Sequence, residues 1–150
     1  MTLALHAHDD EDLAVISAHL QDAVGVIGDM AYQPEKRRFA MLVNRFVWER
    51  EAKAGAFQRA VPQRVRTGIH FEYVQKALVH NLPYKEKDAA FDLLAIRFEP
   101  SEGEDDPSGI IELNFAGGGS LRLLVECIEV FMTDLSEPWP VKTRPRHPSA

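Results

Sequence analysis

The chain has 150 residues, 45% hydrophobic and 27% charged, the size and composition of one globular domain able to bury roughly 70% of the surface its unfolded form would expose. Seventeen Lys and Arg against 23 Asp and Glu give a net charge of −6, which opposes general binding to nucleic acid or to an anionic membrane. The single cysteine, Cys127, excludes an intrachain disulfide framework and a cysteine-based zinc cluster, and fits a reducing cytoplasm.

The opening "MTLALHAHDDEDL" carries no basic stretch and no long apolar run, so neither an export signal nor a transit peptide is expected. No stretch approaches the ~20 consecutive apolar residues of a membrane-spanning helix. Leu13, Ile16, Leu20 and Val24 recur at helical spacing and predict an amphipathic helix. Asp9 or Asp10 suits its N-cap, the further acids complement the helix dipole, and Gly25 ends it.

"VIGDMAY" and "RFAMLVNRFVWE" read as strands joined by the exposed turn "QPEKR". In the second, Ala40, Leu42, Asn44, Phe46 and Trp48 share one face, and Phe39, Met41, Val43 and Val47 the other, so both faces are partly covered. "REAKAGAFQRAVPQ" reads as a loop or short helix closed by Pro62. "RVRTGIHFEYVQKALVHNL" reads as a strand, a bend and a second strand through Leu78, and "KDAAFDLLAIRFEP" as a buried strand from about Ala90 to Phe98. "EPSEGEDDPSG" is a solvated loop.

"IIELNF" and "SLRLLVE" alternate as two strands on either side of "AGGGS". A phosphate-binding loop needs its glycines between a strand and a helix, with a lysine at hand. Here a strand follows and no lysine accompanies them, so the glycines predict a hairpin turn. Beyond Glu126, Leu124, Ile128, Phe131 and Leu135 fit a helix, while Cys127, Glu129 and Phe131 fit a continuing strand; the helix is preferred. A Pro-rich tail, residues 140–150, follows a single domain of residues 1–139 and is expected to be extended on the surface or disordered.

The phrases "DEDLAVISAHLQDAV", "RFAMLVNRFVWE", "FDLLAIRF", "GIIELNFAGGGSLRLLVECIE" and "DLSEPWPV…RPRHP" together resemble the DUF2948 family, found mainly in alphaproteobacteria. The resemblance covers nearly the whole chain in matching order. It implies a small bacterial cytoplasmic protein and assigns no catalytic residue.

The fold expected is α+β: mainly antiparallel strands curled into a barrel or sandwich, with an N-terminal helix and a possible C-terminal one. A pleckstrin-homology-like barrel is the preferred architecture. Among candidate sites, Asn44 and Trp48 on one strand face, with Arg45 opposite, form a potential ligand wall. The preferred reading is a filled core in which Asn44 and Arg45 satisfy hydrogen bonds and pair with acids such as Asp22 or Glu126. His6 and His8, with Asp9, Asp10 and Asp12 beyond them, are weak metal-ligand candidates. His70 and His80 read as half-buried or edge residues. Glu126 is expected to face outward from the second hairpin strand, and Cys127 beside Glu126 and Glu129 is a poor nucleophile. No serine stands in a nucleophile elbow, and no cofactor is implied. The leading expectation is a non-catalytic cytoplasmic module binding a protein or peptide partner, or a second copy of itself. The alternative is a small-molecule- or metal-binding protein or enzyme with its pocket at Asn44 and Trp48 or at His6 and His8.

Overall fold

Period-two alternation builds most of the chain into strands. The computed structural model describes residues 2–53 and 61–145, and eleven strands form one antiparallel sheet. They are β1 (Ala4–Ala7), β2 (Ala23–Val26), β3 (Met30–Gln33), β4 (Arg38–Phe46), β5 (Gln63–Phe71), β6 (Val74–His80), β7 (Ala90–Pro100), β8 (Gly109–Phe115), β9 (Ser120–Val125), β10 (Val130–Asp134) and β11 (Trp139–Pro140). Two helices accompany them, α1 (Asp10–His19) and α2 (Trp48–Lys53). The main path runs β1-β10-β5-β4-β2-β7-β8-β9-β6, with β11 on β5 and β3 on β4.

This path curls without closing: β1 and β6 are its ends. The core lies on its inner face, where Phe39, Met41 and Val43 of β4, Ile69 and Phe71 of β5, and Leu121 and Leu123 of β9 are all under 5% exposed. Helix α1 starts as expected, Asp9 accepting a hydrogen bond from the Asp12 N–H at 2.8 Å, and presses the buried Leu13, Ile16 and Leu20 onto β1 and β7.

The hairpin reading of "AGGGS" holds. β8 and β9 pair in register from Gly109↔Val125 to Asn114↔Ser120. Gly117 and Gly118 take φ of +92° and +89°, a conformation side chains resist. Gly119 has no room for one, since a Cβ there would come within 2.6 Å of Leu82 Cδ2 and 2.7 Å of the Asn81 carbonyl oxygen.

Three expectations fail. Helix α1 ends at His19, and Val24 and Gly25, read as its last apolar position and its stop, lie in β2. Residues 126–135 are not helical: β10 occupies Val130–Asp134, between β1 and β5, and no helix follows α2 among the described residues. A helix here would satisfy its own backbone but leave the facing edges of β1 and β5 without the partner that β10 gives them. Strand β4 also ends at Phe46 rather than running through Trp48, which opens α2. The rest of the predicted loop at 54–60, and residues 146–150 of the tail, lie outside the described residues. The nearer tail is extended: Trp139 and Pro140 pair with Arg64 and Gln63, and Arg144 bonds to Glu51.

Candidate functional site

Asn44 and Arg45 leave β4 in opposite directions, as alternation requires. Arg45 continues the inward row of Phe39, Met41 and Val43 and is 1% exposed. Its guanidinium meets Asp134 with two hydrogen bonds, Nε to Oδ1 at 2.9 Å and Nη2 to Oδ2 at 2.8 Å. It also reaches both carboxylate oxygens of Glu49, on α2, at 3.0 and 2.9 Å. Thr67 donates its hydroxyl to Asp134 Oδ1 at 2.9 Å, and the Leu3 N–H donates to Oδ2 at 3.3 Å. Burial alone would lower the Arg45 pKa, but its bonds to Asp134 and Glu49 outweigh that and hold it above the ordinary arginine value. Burial likewise works to raise Asp134 and Glu49, and Arg45 holds both below the usual carboxylate range. The filled-core reading of Arg45 therefore holds, with different acids: its partners are Asp134 and Glu49, not Asp22 or Glu126.

The wall of Asn44 and Trp48 does not form. Trp48 turns toward α1, stacking edge-on against Phe46 with centroids 4.7 Å apart and donating its indole N–H to the Gln21 carbonyl at 2.8 Å. Asn44 stays on the outer face, where its Oδ1 accepts from Arg66 at 3.2 Å; Arg66 in turn bonds to Asp29 at 3.1 Å. Of this trio only Asp29 lines a neighbouring groove of about 470 Å³, which is also lined by Ala31, Ala40, Gly68, Leu42, His70 and Leu135. Sequence reasoning placed Asn44 on a ligand wall but missed the groove, which needs three small side chains on three strands to coincide.

The His6 and His8 rings lie edge-on with centroids 5.3 Å apart, but His6 is not among the residues whose ligand atoms converge. His6 pairs with Glu129 and stacks on Phe131 at 4.3 Å; Phe131 stacks on His70 at 4.7 Å from its other side. The three residues are cross-strand partners on β1, β10 and β5. The grouping that does form is His8 with Asp9 and Asp12, ligand atoms within 4.8 Å of one another and mostly exposed; Asp9 is already the α1 cap. Glu126 does face outward, just past β9, and bonds to Arg37 at 2.7 Å and Gln75 at 3.3 Å. Burial, then Glu129 and Glu126, push the Cys127 thiol up, leaving it a poor nucleophile.

The remaining feature is the gap in the sheet. Among the described residues, strand β3 pairs only with β4 and β6 only with β9. At one end the seam between them is tied by the Val74 N–H donating to the Arg37 carbonyl at 2.8 Å and by the Tyr32 hydroxyl donating to the Gln75 carbonyl at 3.3 Å. At the other, the Gly28 N–H donates to the Lys87 carbonyl at 2.8 Å. A slot of about 270 Å³ lies at this seam, lined by Met30, Tyr32, Phe39, Ala77, Val79 and Leu82 among others. Sequence reasoning missed it, because a missing strand pairing leaves no local signature.

The architecture defines an α+β chain dominated by an open antiparallel sheet. Over residues 3–147 it matches the family described as Protein of unknown function (DUF2948), and the chain belongs to that family. No curated protein and no solved structure matches it. No helix among the described residues is long and apolar enough to cross a membrane.

Proposed function

We propose that the chain is a non-catalytic cytoplasmic binding module for a protein or peptide partner, with the seam between β3 and β6 as its recognition edge. One observation carries this reading: two strands each lack a neighbour and border an apolar slot. Exposed strand edges are a common means of recognising other chains. The chemically suggestive residues support it from the other side. Arg45, Asp134, Glu49, Trp48 and Glu126 are each engaged in bonds that hold the fold, and Cys127 is held away from its thiolate. The cytoplasmic placement rests on that single cysteine. A pleckstrin-homology-like barrel is the architectural analogy we favour, and it licenses no ligand by itself.

Affinity capture from the native cell extract, run in parallel with the wild type and Val79→Asp, tests the proposal, together with light scattering on the purified chain. A partner, or a dimer, lost in Val79→Asp supports it. A strict monomer whose captured proteins are the same for both chains contradicts it.

A second reading is favoured by the outer groove, whose 470 Å³ falls within the ordinary range of small-ligand sites, roughly 300–1,000 Å³. It would hold a largely apolar metabolite with one polar end set toward Asp29 and His70. A thermal-shift metabolite screen tests it: a stabilising compound should lose its effect in Gly68→Val, which fills the floor, and keep it in Trp48→Ala.

A further inference from the structure

Tyr32 bridges the seam with its whole side chain to reach the Gln75 carbonyl, so the β3 and β6 backbones stand a side chain apart rather than at the ~4.8 Å of paired strands. Past Gln75, β6 continues through Lys76, Ala77, Leu78, Val79 and His80 with its partner strand β9 on one side only. Leu78 and Val79 are each 42% exposed, and Tyr84, which also lines the slot, is 57% exposed. Such an edge offers a row of backbone donors and acceptors beside apolar side chains.

The occupant is constrained by both features together. An acyl chain would fill the slot and leave the backbone row unpaired, whereas an extended peptide satisfies the row and places every second side chain toward the slot. Charge narrows it further. The arginines Arg37, Arg38, Arg45, Arg66, Arg97 and Arg122 all pair with carboxylates. Lys36, Lys76, Lys85, Lys87 and Lys142 make no such pair among the described residues, and the first four lie in the elements around the seam: Lys36 in the turn after β3, Lys76 in β6, and Lys85 and Lys87 in the loop after it. The acids of the same stretches, Glu35, Glu86 and Asp88, also stand unpaired, so the rim is slightly positive in a chain of net charge −6. A second copy adding antiparallel to the same edge would bring a second Lys76 to an already positive rim, and a charge on a free edge is a common guard against self-pairing.

We propose that the seam takes an extended peptide segment that adds to β6 as a strand, seats an aliphatic side chain beside Phe39 and Val79, and turns acidic residues toward the unpaired lysines. This rests on the binding-module reading and specifies its partner.

The test is selection of a phage-displayed library of random nine-residue peptides on the full chain, with Val79→Asp as the counter-target. The expected winners alternate aliphatic residues with Asp or Glu. Remade synthetically with N-methyl groups on alternate residues, a winner should bind about tenfold or more weakly, since each lost backbone hydrogen bond removes a several-fold factor. Lys76→Glu and Lys87→Glu should also weaken it, and added salt should do the same. Val79→Asp should abolish binding with its unfolding midpoint near that of the wild type, as an exposed residue allows. No enrichment over the counter-target, enrichment of basic peptides, or indifference to N-methylation would each overturn strand addition. A protein captured in a Val79-dependent way alongside any of these would leave the binding-module reading standing, so the two failures are told apart.

Discussion

Arg45 and Asp134, 89 residues apart in the chain, meet through two hydrogen bonds of 2.9 and 2.8 Å at the end of the core. The pair joins β4 to β10, and Glu49 and Thr67 extend it to α2 and β5. It thereby fastens the β1 end of the sheet, while the β6 end is left open.

Removing Arg45 strands Asp134, whereas Arg45 without Asp134 would keep Glu49. Arg45→Met should cost about 3–5 kcal/mol, the usual penalty for a buried charge left uncompensated. The double change Arg45→Met with Asp134→Leu should recover most of that loss, because Glu49 is more than a third exposed and can turn to water. Urea unfolding of the three chains checks both statements.

Acid should loosen the same cluster. Asp134 and Glu49 are held below the usual carboxylate range by Arg45, against the opposing effect of burial. The folded state therefore binds fewer protons than the unfolded one as the pH falls through that range. The stability they add is fully present above their unfolded pKa values, near 4, and is lost as the pH drops through the lower folded values. Urea midpoints measured at pH 7 and pH 3 should fall more in the wild type than in the Arg45→Met, Asp134→Leu chain.

The hairpin tip should behave as a turn. With φ of +92° at Gly117 and no atom within 4 Å of an added Cβ, Gly117→Ala meets backbone strain alone and should cost about 1 kcal/mol. Addition of ATP or GTP should leave the unfolding midpoint of the wild type unchanged.

Phe131 lies between His6 and His70 with centroid distances of 4.3 and 4.7 Å. Aromatic pairs contribute about 0.5–1.5 kcal/mol each beyond the area they bury, so Phe131→Leu, which keeps most of the apolar bulk and loses both stacks, should destabilise by about 1–3 kcal/mol. Phe131→Ala, which loses the buried area as well, should cost more. Chemical denaturation of the two variants separates stacking from burial.

What the sequence made legible was local. The β8–β9 hairpin was readable because its alternation and its turn glycines lie within one short stretch, and α1 because its cap and apolar stripe do. β10 was not readable, since Leu124, Ile128, Phe131 and Leu135 mimic a helical stripe and only pairing with β1 and β5 decides for a strand. The inward row of Val130, Met132 and Asp134 is the signal that pointed the other way. Without β10 as a strand, Asp134 has no route to Arg45, and the partner of the buried arginine stayed hidden. The nearby groove was not readable either, since it depends on Ala31, Ala40 and Gly68 coming together from three strands.

The central claim is that the sheet is open between β3 and β6, with the free edge of β6 available for an added strand. Amide hydrogen exchange across Lys76–His80 in the isolated chain measures this directly. The structure predicts alternation: amides directed at β9 protected, and those directed at the seam exchanging far faster, as amides without a partner do. Protection of every amide along β6 would mean that the edge is already paired, and would contradict the account.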